Sequence, residues 1–323
     1  GRMIDLAAAR LGLAVHVYCP DTDSPAFDVA RAVTVAAYDD RAALEAFAAS
    51  VDVVTYEFEN VPEETAAVLA ARVPVRPGAL SLAVSQDRVA EKTFLAEHGI
   101  PVAPFRRVDT ADDIDAAVAA LGLPAILKTR RLGYDGKGQV TLREGYDAAA
   151  AFAAIGGRPA IVEGFVPFAL ECSVVLARGL DGATAAFAIA ENRHENHILK
   201  RSVVPAAIGP ETAEEARRIG VAVASALGHV GVLAVELFLL RGEGGERIVA
   251  NEIAPRVHNS GHWTEDGAAV SQFEQHVRAV VGWPLAAPDL LFPTEMENLI
   301  GDDALAWRRI AAEPGALLHL YGK

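Results

Sequence analysis

The chain has 323 residues, 52% hydrophobic and 22% charged, with 29 Lys and Arg against 43 Asp and Glu for a net charge of −14. That length suits two or three packed units, and the composition excludes a disordered chain. So acidic a chain makes a poor general binder of nucleic acid or anionic membrane, and any anionic ligand needs a local basic pocket.

Mean hydropathy is +0.23, largely from alanine. Apolar runs such as Ala116–Leu127 are short and interrupted by Gly or Pro, well below the roughly 20 residues that span a bilayer. Asp5 falls where a signal peptide needs an apolar core. Cys19 and Cys172 lie far apart and outside any ligand spacing, so neither a disulfide framework nor a zinc site is expected, and the cytoplasm is the expected compartment.

In chain order, Met3–Leu11 reads as a helix closed by Gly12 and Ala14–Cys19 as a buried strand. Strands follow at Ala32–Ala36 and Val51–Tyr56, with helices over Arg41–Ser50 and Pro62–Ala71. Short strands alternating with helices imply a parallel sheet with helices on its faces. The chain opens inside a helix, so a first strand and its glycine turn are expected ahead of Gly1. Arg88–His98 reads as a helix stopped by Gly99-Ile-Pro101. Ile126–Thr129 and Gln139–Leu142 then flank a glycine loop, followed by a helix at Ala148–Ala154 and a strand at Ala160–Glu163. Longer antiparallel strands are expected at Glu171–Ala177, Ala185–Ala190, Leu233–Leu240 and Glu246–Ile253, with a helix over Ala213–Leu227. Another helix starts after the capping box Ser271-Gln-Phe-Glu274. The second part is therefore α+β rather than a continued parallel sheet.

Three segments carry chemistry. Gly133, Gly136 and Gly138 let the backbone of Arg131–Gln139 approach a ligand and form an anion-binding nest, with Lys137 in the loop and Lys128 on the strand leading in. A plain hairpin fits equally, because Asp135-Gly136 is also a good turn. Second, a hairpin centred near residue 244 sets Glu236 opposite Glu252. Facing carboxylates repel, and a divalent cation such as Mg²⁺ removes that cost; an off-by-one register would instead leave both solvated. Third, Arg256, His258, Asn259, Ser260 and His262 crowd the loop after Glu252, where Arg forks and polar donors suit phosphate or carboxylate oxygens. Weaker signals are Glu57 and Glu59 at a strand end, and Glu163 and Glu171 on either side of Gly-Phe-Val-Pro. His194 and His197 read more simply as a polar loop than as metal ligands.

Thr55-Tyr-Glu-Phe-Glu-Asn-Val-Pro62, Gln86-Asp-Arg88, Leu127-Lys128, Gly133–Gln139, Glu163, Glu171, Asn192-Arg-His194, Asn251-Glu252 and Ala254–His262 together resemble the ATP-grasp ligases, and among them the N5-carboxyaminoimidazole ribonucleotide synthetases of purine biosynthesis. The resemblance covers nearly the whole chain. It implies an α/β plus α+β architecture: an N-terminal parallel-sheet, Rossmann-like domain over residues 1–86, and an ATP-grasp domain over 87–285. A lid subdomain at about 104–165 and a C-terminal segment at 286–323 complete it.

It also implies carboxylation of 5-aminoimidazole ribonucleotide from ATP and bicarbonate through carboxyphosphate, with Mg²⁺. Arg88, Lys128, Gly133, Tyr134, Asp135, Gly136, Lys137, Gly138 and Gln139 would hold ATP phosphates, Glu163 and Val166 the adenine, and Glu171 the ribose. His194, Asn251 and Glu252 would complete that site, and Glu236 and Glu252 would carry the metal. Glu57, Glu59, Tyr134, Lys137, Arg256, His258, Asn259 and Ser260 would face the ribonucleotide, with Asp135, Arg256, His258 and Lys323 catalytic. A homodimer is expected. Strict strand alternation points Asn251 away from Glu252's face, so its place in the site requires a bulge. Another ATP-grasp carboxylate–amine ligase, such as a formate-dependent transformylase, and a non-catalytic nucleotide-binding homologue remain alternatives. A nicotinamide oxidoreductase, suggested by residues 1–86 alone, finds no hydride-transfer site downstream.

Overall fold

The computed structural model describes residues 1–133 and 137–321. It begins with α1 (Arg2–Arg10), β1 (His16–Cys19), β2 (Ala32–Val35), α2 (Arg41–Ala48), α3 (Glu63–Ala70) and α4 (Ala79–Ser85). β1 and β2 pair in parallel, His16 with Ala32 through Cys19 with Val35. The strand expected at Val51–Tyr56 is reduced to one parallel bridge between Val54 and Val75. Val54 N donates to Pro74 O and Arg76 N to Val54 O, but Pro74 offers no N–H to carry the ladder back toward Asp52. Between the β1–β2 pair and this bridge lies a cavity of about 1050 Å³, lined by Ile4, Val17, Val53, Leu69 and Leu82 among others.

Next come α5 (Arg88–Glu97), β3 (Phe105–Val108), α6 (Asp112–Leu121), β4 (Ala125–Thr129), β5 (Gln139–Leu142), α7 (Ala148–Ala154) and β6 (Ala160–Gly164). The four strands form an antiparallel sheet ordered β3-β6-β4-β5. Val108, Leu127, Leu142 and Val162 bury one face against Ile114 and Ala117 of α6 and Ala151 of α7. The opposite face carries Lys128 and Glu163.

The remaining elements are β7 (Leu170–Arg178), β8 (Thr184–Ala186), β9 (Ala190–Glu195), β10 (Ile198–Val204), α8 (Pro210–Ala226), β11 (Gly231–Gly242), β12 (Gly245–Ala254), α9 (Thr264–Gly267), α10 (Gln272–Val281), β13 (Thr294–Glu297) and α11 (Trp307–Ala311). Their sheet is ordered β12-β11-β7-β9-β10-β13, with β8 also on β7, and every pairing is antiparallel. On one face Val174, Leu176, Leu233, Val235 and Leu237 pack against Ile219 and Val223 of α8. On the other, Val175, Ala177, Val232 and Ala234 meet Phe273 and Val277 of α10 and Ile4 and Ala8 of α1. β7 and β11 are thus buried on both sides, which explains their near-continuous apolar runs. The single strand expected at Ala185–Ala190 divides into β8 and β9. Phe187 belongs to the α10-side core and Ile189 to the α8-side core, so alternation fails between two residues that would otherwise share a face.

Candidate active site

β11 and β12 join through Glu243-Gly244, with Gly242 opposite Gly245. From that turn the pairing runs regularly to Leu237 with Ala250; the register then shifts, and Glu236 pairs with Glu252. Asn251 is the extra residue. Ala250 and Ile253, three apart, both belong to the α8-side core, so Asn251 and Glu252 together take the single turn toward the other face. Two residues opposing one is the geometry of a β-bulge, and it resolves the difficulty with Asn251. The Asn251 side-chain oxygen is buried without a hydrogen-bond partner.

Arg88 reaches this pair from the first turn of α5. Asp87 caps that helix, accepting from Val89 N at 3.0 Å and Ala90 N at 3.3 Å. The same carboxylate takes a two-pronged contact from Arg130 at the end of β4, Nε to Oδ1 at 3.1 Å and Nη2 to Oδ2 at 2.7 Å. So fixed, Arg88 donates to Glu252 Oε2 at 3.0 Å and to Gly133 O at 3.2 Å. Burial favours the neutral form of Glu252, but the Arg88 guanidinium outweighs it and holds the carboxyl down at about 2.

On the small sheet, Lys128 Nζ donates to Glu163 Oε2 at 2.9 Å. Burial would raise the Glu163 carboxyl, yet Lys128 and then Lys92 hold it below the usual range; its other oxygen is buried without a partner. Glu171 on β7 pairs with His194 on β9. Burial opposes charge on that imidazole, and Glu171 overcomes it, raising the His194 pKa. His197 instead lies 3.5 Å from Gln139 Nε2, so the two histidines do not converge. Among the described residues no cluster of three or more His, Cys, Asp or Glu could hold a metal. Gly138 has φ +72°, and a Cβ there would lie 2.7 Å from Thr129 Oγ1, so the loop's return to β5 demands glycine.

The loop after β12 closes the site. Arg256 Nε donates to Glu59 Oε2 at 2.9 Å. His258 Nε2 lies 3.3 Å from Glu236 Oε1, and its Nδ1 lies 2.8 Å from Ser260 Oγ. Ser260 Oγ in turn contacts Ser173 Oγ at 2.7 Å, both serines being buried. Gln272 clamps the loop, accepting from His258 N at 2.9 Å and donating to His258 O at 2.7 Å. A Cβ on Gly261 would lie 2.5 Å from Gln272 Oε1. Asn259 Oδ1 is a further buried, unpartnered acceptor.

A ribonucleotide synthetase preATP-grasp domain model matches residues 1–86 and an ATP-grasp domain model residues 93–273. The N5-carboxyaminoimidazole ribonucleotide synthase of Brucella melitensis is 52% identical over all of this chain and 89% of that protein. The chain belongs to the N5-carboxyaminoimidazole ribonucleotide synthase family. The Staphylococcus aureus N5-carboxyaminoimidazole synthetase complexed with ADP superposes at a TM-score of 0.94 with 35% identity, covering 100% of this chain and 86% of that one. The Aspergillus clavatus synthase in complex with ADP and 5-aminoimidazole ribonucleotide superposes at 0.91 with 29% identity and the same coverage.

In this member of the synthase family direct contacts join Arg88 to Glu252, Glu236 to His258 and His258 to Ser260, while Lys128 meets Glu163, Glu171 meets His194 and Arg256 meets Glu59. The charges of Glu236 and Glu252 act on His194 and that of Lys128 on Glu252, and Asn251 and Asn259 adjoin Glu252 and His258 in the chain. Val166 lies in the connection between the two antiparallel sheets, where Ala169 N donates to Leu239 O. Of the two early glutamates, Glu59 turns to Arg256 while Glu57 pairs with the Gly1 amine. Lys137 is exposed at the loop's end. Tyr134, Asp135, Gly136 and Lys323 lie outside the described residues. The sequence reading missed Glu91, Lys92 and Ser173. The signal was available for two of them: Arg88, Glu91, Lys92 and Leu95 form one helical stripe, and Leu95 is fully buried.

Proposed function

We propose that the chain carboxylates 5-aminoimidazole ribonucleotide at its exocyclic amine, using ATP and bicarbonate, as its family is named to do. The observation carrying this is the Glu236–Glu252 pair, opposed across a bulged hairpin between Arg88 on one side and the Arg256–Ser260 loop on the other.

In this reading a bicarbonate oxygen attacks the γ-phosphorus as the bond to the β-phosphate oxygen breaks, giving carboxyphosphate and ADP. The amine nitrogen then attacks the carboxyl carbon, phosphate leaves, and the amine's proton passes to a base, for which Asp135 is the candidate. Arg88 and Lys128 stabilise the phosphate charge, and the Arg256 guanidinium faces the anion that develops, as preorganised electrostatics require. Glu163, with one oxygen unpartnered, accepts from the adenine, while Glu171 accepts from a ribose hydroxyl. Closure of the glycine loop keeps carboxyphosphate from water.

Mg²⁺ is usually held by one or two carboxylates plus substrate phosphates, and Glu236 and Glu252, beside the unpartnered Asn251 oxygen, fit that demand. When bound it would offset charge on the transferring phosphoryl group. No helix among the described residues is long and apolar enough to cross a membrane. Exposed Leu291, Phe292, Leu305 and Trp307 near the C-terminus favour a homodimer, which light scattering measures directly.

The test is ADP release from MgATP with bicarbonate and 5-aminoimidazole ribonucleotide, each omitted in turn. Turnover should require both, and Glu252→Gln should reduce it at least about tenfold. ADP formation indifferent to the ribonucleotide, or stimulated by formate instead of bicarbonate, would sink the assignment.

A further inference from the structure

β12 is an edge strand of the large sheet, met on its outer side by a single parallel bridge from Val102 to Ala250, so past that bridge its outward N–H and C=O groups have no partner strand among the described residues. Buried backbone groups left that way are destabilising unless another group supplies the hydrogen bond. The bulge at Asn251 makes the problem acute, because it disrupts the ladder on the inner side as well. Two adjacent side chains of α5 meet this demand. Glu91 Oε1 accepts from Ile253 N at 2.6 Å. Lys92 Nζ donates to Asn251 O at 2.6 Å and Ala250 O at 3.3 Å. Both side chains are almost wholly buried, at 2% and 1% exposure. Pro101 O completes the set by accepting from Ala250 N at 2.7 Å. Arg88, one turn earlier on the same helical face, holds the Glu252 carboxylate itself.

We propose that Glu91 and Lys92 are positioning residues: together they act as a side-chain substitute for a strand along the β12 edge and hold the bulge that presents Asn251 and Glu252 beside Glu236. In this role both act on the backbone of Ala250, Asn251 and Ile253 rather than on the metal carboxylates themselves. Lys92 is the more demanding of the two, because its ammonium converges on the carbonyls of two consecutive residues, an arrangement a regular strand does not offer. Nζ also lies 4.0 Å from Glu163 Oε2, so the same ammonium ties the bulge to the small sheet's carboxylate. Glu91 needs only an acceptor oxygen at its position, not a charge.

This inference rests on the reading of Glu236 and Glu252 as a metal site, and the experiment separates the two. Mn²⁺ binding in the presence of ADP is measured by electron paramagnetic resonance on the full chain and four variants: Glu252→Gln, Lys92→Met, Lys92→Gln and Glu91→Gln. Lys92→Met should weaken nucleotide-dependent Mn²⁺ binding by about tenfold or more, the usual effect of losing a group that orients a ligand. Lys92→Gln, which still donates, should fall between it and the wild type. Glu91→Gln keeps an acceptor oxygen and should stay within about threefold. Should Lys92→Met fail to fold, Lys92→Gln carries the test, and wild-type binding in that variant overturns the proposal. Wild-type Mn²⁺ binding by Lys92→Met alongside loss in Glu252→Gln overturns the positioning role alone. Unchanged binding in Glu252→Gln removes the metal reading, and the positioning role with it.

Discussion

His258 shows how far a single side chain here is set by its neighbours. Ser260 N donates to its Nδ1 at 3.3 Å, so that nitrogen serves as an acceptor. The Ser260 hydroxyl can then donate to the same atom, and Ser173 to Ser260, which leaves the proton on Nε2 facing Glu236. The hydrogen bonds therefore favour one neutral tautomer, with the ring held in one orientation. Ser260→Ala should lower kcat about tenfold while leaving KM for ATP near the wild-type value, because the ring loses orientation rather than the nucleotide losing contacts. Unchanged kcat and pH profile in that variant would remove orientation of His258 from the mechanism. Ser173 was illegible in sequence, since a serine within Glu-Cys-Ser-Val-Val announces nothing. It matters only because the register places it opposite Glu236.

At the scale of elements, the apolar runs and turn dipeptides located most strands and helices, because double-sided burial and capping are local signals. The facing glutamates were legible too, although the turn lies between Glu243 and Gly244 and the bulge supplies the remaining half-step of register. What stayed hidden depends on contacts distant in sequence: the Pro-limited bridge at Val54, the break between β8 and β9, and the Glu91–Lys92 face of α5. That helix also links the sheets through its cap. Asp87→Ala removes the N-cap, worth about 1 kcal/mol, and strips Arg130 of its paired acceptor, for roughly 2–3 kcal/mol in all. Arg88 begins the helix that Asp87 caps, so KM for ATP should rise more than kcat falls. Calorimetry and steady-state kinetics check both effects; a variant with wild-type melting and wild-type KM would show that the cap does not seat Arg88.

Across the whole molecule, the N-terminal segment and the large sheet are joined by two buried histidines. His276 Nδ1 accepts from Val232 N at 3.0 Å, and its Nε2 lies 2.7 Å from Thr55 Oγ1. His229 Nε2 donates to Val232 O at 3.0 Å, leaving Nδ1 to accept from Ser81 Oγ at 3.0 Å. Burial is the main cause that pushes the two imidazoles down, to about 3 for His276 and about 4 for His229. The unfolded chain binds protons at these sites near pH 6.5 and the fold does not, so their contribution is complete above pH 6.5 and declines as pH falls toward 4 and 3. Each histidine contributes a slope of about 1.4 kcal/mol per pH unit inside that window. Glu91 opposes them: burial, then Glu252, raises its carboxyl to about 8, so between its unfolded value and that point the fold holds the extra proton. His262, pushed down to about 4 chiefly by burial, loses its contribution over the same window, and these three histidines outweigh Glu91, so stability decreases as pH drops from 6.5 to 4.5. Thermal melting across that range should show it, and His276→Gln, which keeps the hydrogen-bonding shape without a titrating ring, should flatten the slope. A His276→Gln protein melting with the wild-type pH dependence would mean that proton uptake elsewhere governs acid stability and that the histidine seam does not.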